Sequence, residues 1–209
     1  MSAATRTQSY FDRQAASFDR AYARSSMPPL MRRGPWRSRE LAVAVVAEHD
    51  APAVLDVGCG PGRVAEAVLD AGAARYVGID FSPPMLALAR ERLAGLPSVE
   101  LVEGDFLEAD VGGAFDVVLA LGLFDYLEEP ERAAAWMRAR CGSTLVASFT
   151  RWDWLKGPLR HVYYELLNRC PIRNYTETGV EAMLTAAGFA RVEFPFRGSH
   201  GFLARGSVR

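Results

Sequence analysis

Apolar positions along the chain change their spacing near residue 50. Before it, two stretches repeat at the helical period: Thr7–Arg24, with Tyr10, Phe11, Phe18 and Tyr22 on related faces, and Trp36–Glu48, with Leu41, Val45 and Val46. Met27-Pro28-Pro29 separates them. After it come short apolar runs that end at Gly or Asp: Val54–Val57, Tyr76–Ile79, Val99–Val102, Phe115–Ala120 and Thr144–Phe149. Helix-like segments beginning near Pro61, Pro83 and Glu131 lie between them. Strand and helix alternating at this spacing predict βαβ units around a mostly parallel sheet, with right-handed crossovers and helices on both faces. The alternation lapses over residues 151–175, which are rich in aromatics, then resumes with a helix over Glu177–Ala187 stopped by Gly188. Two last runs, Ala190–Phe196 and Gly201–Ala204, are close enough to pair antiparallel.

Composition narrows this to an ordinary globular chain. At 209 residues, residues 1–209 fit a single α/β domain, with N-terminal helices over residues 1–50 and an insertion over residues 151–175. Half the residues are apolar and the formal charge is −1, so no general electrostatic hold on nucleic acid is expected. The basic cluster Arg32, Arg33, Arg37 and Arg39 reads as a solvated helix face. No run approaches the roughly 18 apolar residues of a membrane span, and the first residues lack the apolar core of a signal peptide. Cys59, Cys141 and Cys170 have neither metal-ligand spacing nor an even number for disulfides, so the expectation is a cytoplasmic protein without a metal.

The candidate chemistry gathers where the runs end. Val54-Leu-Asp-Val-Gly-Cys-Gly-Pro-Gly-Arg63 is a buried strand, a glycine-rich turn and the start of a helix. Such a turn lets backbone pass close under a nucleotide-like ligand. A dinucleotide fingerprint would need glycine at position 63, where Arg63 stands. Asp56, at the strand end before the first glycine, would meet an ammonium group or orient the loop. Asp80 closes the second run about 20 residues after the glycines, where a carboxylate accepts both ribose hydroxyls of an adenosine. Phe81 follows, and Met85 would pack on the purine or in the core. Asp105 and Phe106 repeat the arrangement after the third run, as an acceptor for an adenine amino group and a ring cover, or as a turn cap.

Taken in order, LDVGCGPG at 55–62, Asp80, EGDF at 103–106 and FDVVLALGLFDYLEEP at 115–130 resemble the class I S-adenosylmethionine-dependent methyltransferases over about residues 35–206. The resemblance implies a Rossmann-like, seven-stranded sheet with its last strand antiparallel. S-adenosylmethionine would lie across the carboxyl ends of the first, second and fourth strands and leave as S-adenosylhomocysteine. It implies Gly58, Cys59, Gly60 and Gly62 along the methionine part, Asp80 at the ribose, and Asp105 with Phe106 at the adenine. Ala120, Leu121 and Gly122 would face the amino group and the substrate. Tyr10-Phe11-Asp12 and Arg173-Asn174-Tyr175 are similar to the magnesium-protoporphyrin O-methyltransferases, and N-terminal aromatics such as Tyr10 would close the cofactor pocket.

The expected reaction is in-line transfer to O or N of a small-molecule acceptor, aided chiefly by positioning. Candidates for a proton acceptor are Asp125, Tyr126 and His161. Residues 151–175 read as a lid that stacks a planar, carboxylate-bearing acceptor, or as an amphipathic patch in peripheral contact with a membrane or partner. A nucleic-acid or protein methyltransferase, a non-catalytic cofactor-binding module and a nicotinamide oxidoreductase remain as alternatives. Against the first, Ala120-Leu-Gly-Leu-Phe-Asp125 lacks the Asn/Asp-Pro-Pro-Tyr-type string of exocyclic-amine methyltransferases.

Overall fold

The structure, a computed structural model, describes residues 3–22, 33–152 and 160–209, and side chains from Thr5 to Arg20 and from Arg37 onward within those ranges. Met27-Pro28-Pro29, Trp154, Lys156 and the rest of 153–159 lie outside the described residues.

Two helices, α1 (Ala3–Tyr22) and α2 (Arg33–Ala47), precede β1 (Ala53–Val57). There follow α3 (Ala65–Asp70), β2 (Arg75–Asp80), α4 (Pro83–Arg92), β3 (Val99–Glu103), β4 (Phe115–Ala120), a 3₁₀ turn (Phe124–Tyr126), α5 (Pro130–Arg140) and β5 (Cys141–Thr150). A π-helical turn (Val162–Leu167), α6 (Glu177–Ala186), β6 (Arg191–Arg197) and β7 (Gly201–Ser207) complete the chain. The sheet has seven strands in the order β3-β2-β1-β4-β5-β7-β6. β1 to β5 pair parallel, and β7 runs antiparallel to both β5 and β6. This is the Rossmann-like α/β arrangement expected from the alternation.

The central strands are buried on both faces, which is why their sequences read as unbroken apolar runs. Leu55, Val57, Val77, Ile79 and Val118 pack with Ala133 and Met137 of α5 and Val180 and Leu184 of α6. On the other face, Val54, Tyr76, Val117 and Leu119 meet Ala42, Val45 and Val46 of α2 and Ala65 and Val68 of α3. Within β2 the sheet needs a residue without a side chain at position 78. A Cβ on Gly78 would lie 2.9 Å from Cys59 Sγ and 3.0 Å from both Leu101 Cδ2 and Tyr76 Cε1. Gly78→Ala is therefore expected to cost about 2 kcal/mol through overpacking, lowering the thermal midpoint by roughly 5 °C in a scanning calorimeter.

One helix start differs from the sequence reading. The segment expected to become helical near Pro61 does so only at Ala65, because Gly62 has a φ of +71° and the chain must first turn back under the loop. The strand order reverses between β1 and β4, and open α/β sheets place ligands at such a switch point, beyond the carboxyl ends of the strands.

Candidate active site

Two loops flank that switch point: residues 58–62 after β1 and 121–123 after β4. They touch, since a Cβ on Gly58 would meet Leu123 Cδ1 at 3.0 Å. Gly58 and Cys59 both donate their backbone N–H to the Ile79 carbonyl, at 2.8 and 3.1 Å, which folds the first loop over the end of β2.

Asp80 sits at that end, 7 % exposed. Its Oδ2 accepts the Gly60 N–H at 2.8 Å and its Oδ1 accepts the Ser82 N–H at 2.9 Å. A carboxylate offers about four acceptor positions, so each oxygen keeps a lone pair for a further donor. Burial pushes the Asp80 carboxyl above the ordinary value, and the backbone donors at Ser82 and Gly60 pull it back. Gly60 has a φ of +53° and Gly122 of +77°, and a Cβ on either would meet nothing within 4 Å. Open space thus lies over both loops beside a carboxylate with spare acceptors. That combination fits an adenosine whose ribose hydroxyls donate to Asp80 and whose amino-acid tail runs along bare backbone.

Asp56 lies beneath the loop, 3 % exposed, and accepts the Tyr76 hydroxyl at 2.7 Å. Burial raises its carboxyl to about 7, against the Tyr76 hydrogen bond and with a smaller contribution from Asp80. The folded protein therefore keeps a proton that the unfolded chain gives up near pH 4. Stability should fall as pH rises from about 4 to 7, by on the order of 1–3 kcal/mol. Thermal midpoints measured across that window should show the decline, and Asp56→Asn should flatten it. Cys59, 7 % exposed beside these acids, has its thiol raised well above the usual range by burial, Asp56 and Asp80. Burial also pushes Cys141 and Cys170 up to about 11, so none of the three is poised as a thiolate.

The other expected cofactor residues surround this centre. Phe81 is half-buried beside Asp80, and Met85 is 2 % exposed on α4. Asp105 is exposed, and its Oδ1 accepts the Leu107 N–H at 2.9 Å, capping the turn after β3. Phe106 is 8 % exposed in the core, its ring 5.2 Å edge-on from Trp136. Ala120 is fully buried, Leu121 half-buried, and the Gly122 N–H donates to Ser148 Oγ at 2.7 Å.

Aromatic rings from four parts of the chain meet above the crevice. Tyr10, 6 % exposed on α1, lies 5.5 Å from the Tyr164 ring of the π-helical turn. Phe11 stands edge-on to Tyr126 at 5.0 Å and to Phe81 at 6.4 Å. Burial, together with Tyr164 and Asp125, holds the Tyr126 hydroxyl well above the ordinary phenol range.

Asp125, 6 % exposed, accepts the Thr150 N–H at 3.0 Å, the Thr150 hydroxyl, and Arg160 Nη2 at 3.0 Å. Burial raises its carboxyl, while Thr150 and Arg160 lower it. Arg160 also donates to Asn174 Oδ1 at 3.2 Å. His161 lies within 3.2 Å of Asn174 Nδ2 through Nε2 and 3.1 Å of Glu165 Oε1 through Nδ1. Among the described residues, the expected candidates thus fall into two groups: the glycine loop with Asp56 and Asp80, and the Asp125–Arg160–Asn174–His161 chain.

The sequence reading missed the hold of α1 on the site. Gln8 Nε2 donates to the Phe81 carbonyl at 2.8 Å, and Ser82 Oγ donates to Asp12 Oδ1 at 2.6 Å. Arg63 and Arg92 both reach Asp19. These partners are 44 to 73 residues apart, a separation that leaves no local pattern to read. A second cavity, about 420 Å³ and lined by Gly142, Ser143, Thr144, Arg205, Ser207 and Arg209, opens at the start of β5, at the opposite edge of the sheet.

Residues 54–141 match a family described as methyltransferase domain. The cypemycin N-terminal methyltransferase of Streptomyces sp is 41 % identical over 101 residues, which are 46 % of this chain and 40 % of that protein. The ribosomal protein L11 methyltransferase of Myxococcus xanthus is 47 % identical over 79 residues, 37 % of this chain and 27 % of that protein. The chain therefore spans less than half the length of these curated relatives. The magnesium protoporphyrin IX methyltransferase of Synechocystis PCC 6803, crystallised with bound S-adenosylhomocysteine, superposes with a TM-score of 0.75 at 22 % identity, covering 99 % of both chains, and so shares the fold. Residues 54–141, from β1 to the start of β5, are thus similar to a methyltransferase domain, and the chain as a whole shares the fold of a methyltransferase crystallised with bound S-adenosylhomocysteine.

Proposed function

We propose that the protein transfers a methyl group from S-adenosylmethionine to O or N of a small, planar acceptor. The observation that carries this reading is Asp80, a buried carboxylate that already holds Gly60 and Ser82 and keeps acceptor capacity beside an open glycine loop. The cofactor, once bound, supplies an electrophilic methyl on a sulfonium, so the protein's task is to fix the acceptor in line and exclude water. Asp80 would hold the ribose. Asp56, Gly58, Cys59, Gly60 and Gly62 would border the amino-acid tail, with Ala120, Leu121 and Gly122 opposite. Phe81, Met85, Asp105 and Phe106 would form the adenine end, and Tyr10 would close the mouth.

The three candidate proton acceptors take positioning roles in this reading. Asp125 is engaged by Thr150 and Arg160, and both His161 nitrogens have partners, so each ties the segment after β5 to the crevice rather than waiting for a proton. Tyr126 stays protonated and offers a hydroxyl and a ring face. An acceptor that arrives ionised, such as a carboxylate or an acidic phenol, needs no protein base. A polypeptide acceptor, suggested by the names of some relatives, is disfavoured by α1 and the aromatic cap lying over the crevice. Release of S-adenosylhomocysteine, measured against a panel of carboxylates, phenols, tetrapyrroles and peptides, checks the proposal. Turnover with a planar small molecule is expected, and turnover with peptides alone would refute it.

A further inference from the structure

Two arginines converge on Asp19 near the end of α1. Arg63 Nε donates to Asp19 Oδ1 at 2.8 Å and its Nη2 to the Asp19 carbonyl at 2.7 Å. Arg92 Nη2 donates to the same Oδ1 at 2.9 Å, and its Nη1 to the Pro61 carbonyl inside the glycine loop. The Asp19 side chain is 18 % exposed and those of Arg63 and Arg92 are 29 % and 19 %, so the cluster is largely shielded from solvent. At the other end, Gln8 and Asp12 bind Phe81 and Ser82, directly after Asp80.

Gln8, Asp12, Ala15 and Asp19 recur at steps of four, three and four, which puts them on one face of a helix. From Asp12 to Asp19 the axis advances about 10 Å at 1.5 Å per residue. The helix packs along α4 and is tied at one end to Phe81 and Ser82, directly after Asp80, and at the other to Arg63 and Arg92, the latter also holding the Pro61 carbonyl of the glycine loop. Ala15, 4 % exposed at the middle of this face, presents only a methyl group between them. Arg63, which breaks the dinucleotide pattern, thus has a place in the fold: it joins the end of the loop to α1.

We propose that Asp19, clamped by Arg63 and Arg92, is a positioning residue that keeps α1 across the mouth of the cofactor crevice and so sets how fast cofactor and product exchange. This rests on the cofactor assignment given above for the same crevice. Every partner in the clamp belongs to the chain itself, so it opposes displacement of α1 in entry and exit alike. Loosening it should speed both rates and leave affinity nearly unchanged. A residue that merely supported the binding surface would, when lost, raise the exit rate alone.

The test is stopped-flow binding and chase of S-adenosylhomocysteine on wild type and Asp19→Asn, with hydrogen exchange of the ligand-free proteins alongside. Asn keeps the shape and removes the charge that two guanidiniums share. Charge-assisted bonds of this kind support an effect of about tenfold. Association and dissociation should each rise about tenfold, the dissociation constant should stay within about threefold, and amides of α1 from Gln8 to Asp19 should exchange faster. Arg63→Lys, which keeps the charge but loses the two-point grip, should fall between. Unchanged α1 exchange, or a faster exit with unchanged entry, would overturn the proposal. The exchange arm uses no ligand, so it decides on the clamp even if wild type fails to bind S-adenosylhomocysteine, a result that would instead remove the cofactor assignment.

Discussion

Asp80→Ala should weaken S-adenosylhomocysteine binding by about 100-fold or more in calorimetric titration while the chain stays folded. The carboxylate carries two kinds of bond at once. It holds the Gly60 and Ser82 N–H groups and so fixes the loop, and in the proposed complex it also receives the ribose hydroxyls. Hydrogen bonds to a charged group contribute about 1.5–3 kcal/mol each, and two lost from the complex give that factor or more. Removing Asp80 also removes a buried charge, which offsets part of the stability lost with the loop contacts. Binding should therefore suffer far more than the thermal midpoint. Asp80→Asn should sit between, since one amide oxygen still accepts while the NH₂ faces donors.

Asp125→Ala should produce the opposite split. The carboxylate is the point where Thr150 of β5 and Arg160 of the following segment meet, and its backbone carbonyl accepts the Arg173 N–H at 2.7 Å. Truncating one partner of a buried ion pair costs about 3–5 kcal/mol, because Arg160 would be left without its counter-charge. That loss should fall on the segment carrying Tyr163 and Tyr164 rather than on the glycine loop. Turnover should drop at least 100-fold, while affinity for S-adenosylhomocysteine should change by less than about threefold. Equal losses in both would show that Asp125 supports the cofactor crevice as well.

The sheet was legible in the sequence because its signals are local. Val54–Val57, Tyr76–Ile79 and Phe115–Ala120 are apolar without a break because both faces are covered, and each of these runs became a strand with nearly the same limits. Asp80 could be placed for the same reason, as an acid closing a buried run about 20 residues after the glycines. The terminal pair of strands was also readable from two close apolar runs, although the sheet inserts the last strand, β7, between β5 and β6.

What the sequence did not reveal depends on contacts across long separations. Nothing near Asp19 announces Arg63 or Arg92, and nothing near Asp125 announces Arg160. Ser82 stands at the N-cap of α4, yet its hydroxyl donates to Asp12 of α1 rather than capping the helix. His161 reads as a candidate base by residue type alone; the fold brings Asn174 to its Nε2, while Glu165, four residues on, meets its Nδ1.

The most direct check of the central claim is a calorimetric titration of the wild-type protein with S-adenosylhomocysteine and, separately, with a nicotinamide dinucleotide. The account predicts saturable one-to-one binding of S-adenosylhomocysteine in the micromolar range or tighter and no heat of binding from the dinucleotide. Absence of S-adenosylhomocysteine binding, or preference for the dinucleotide, would contradict it.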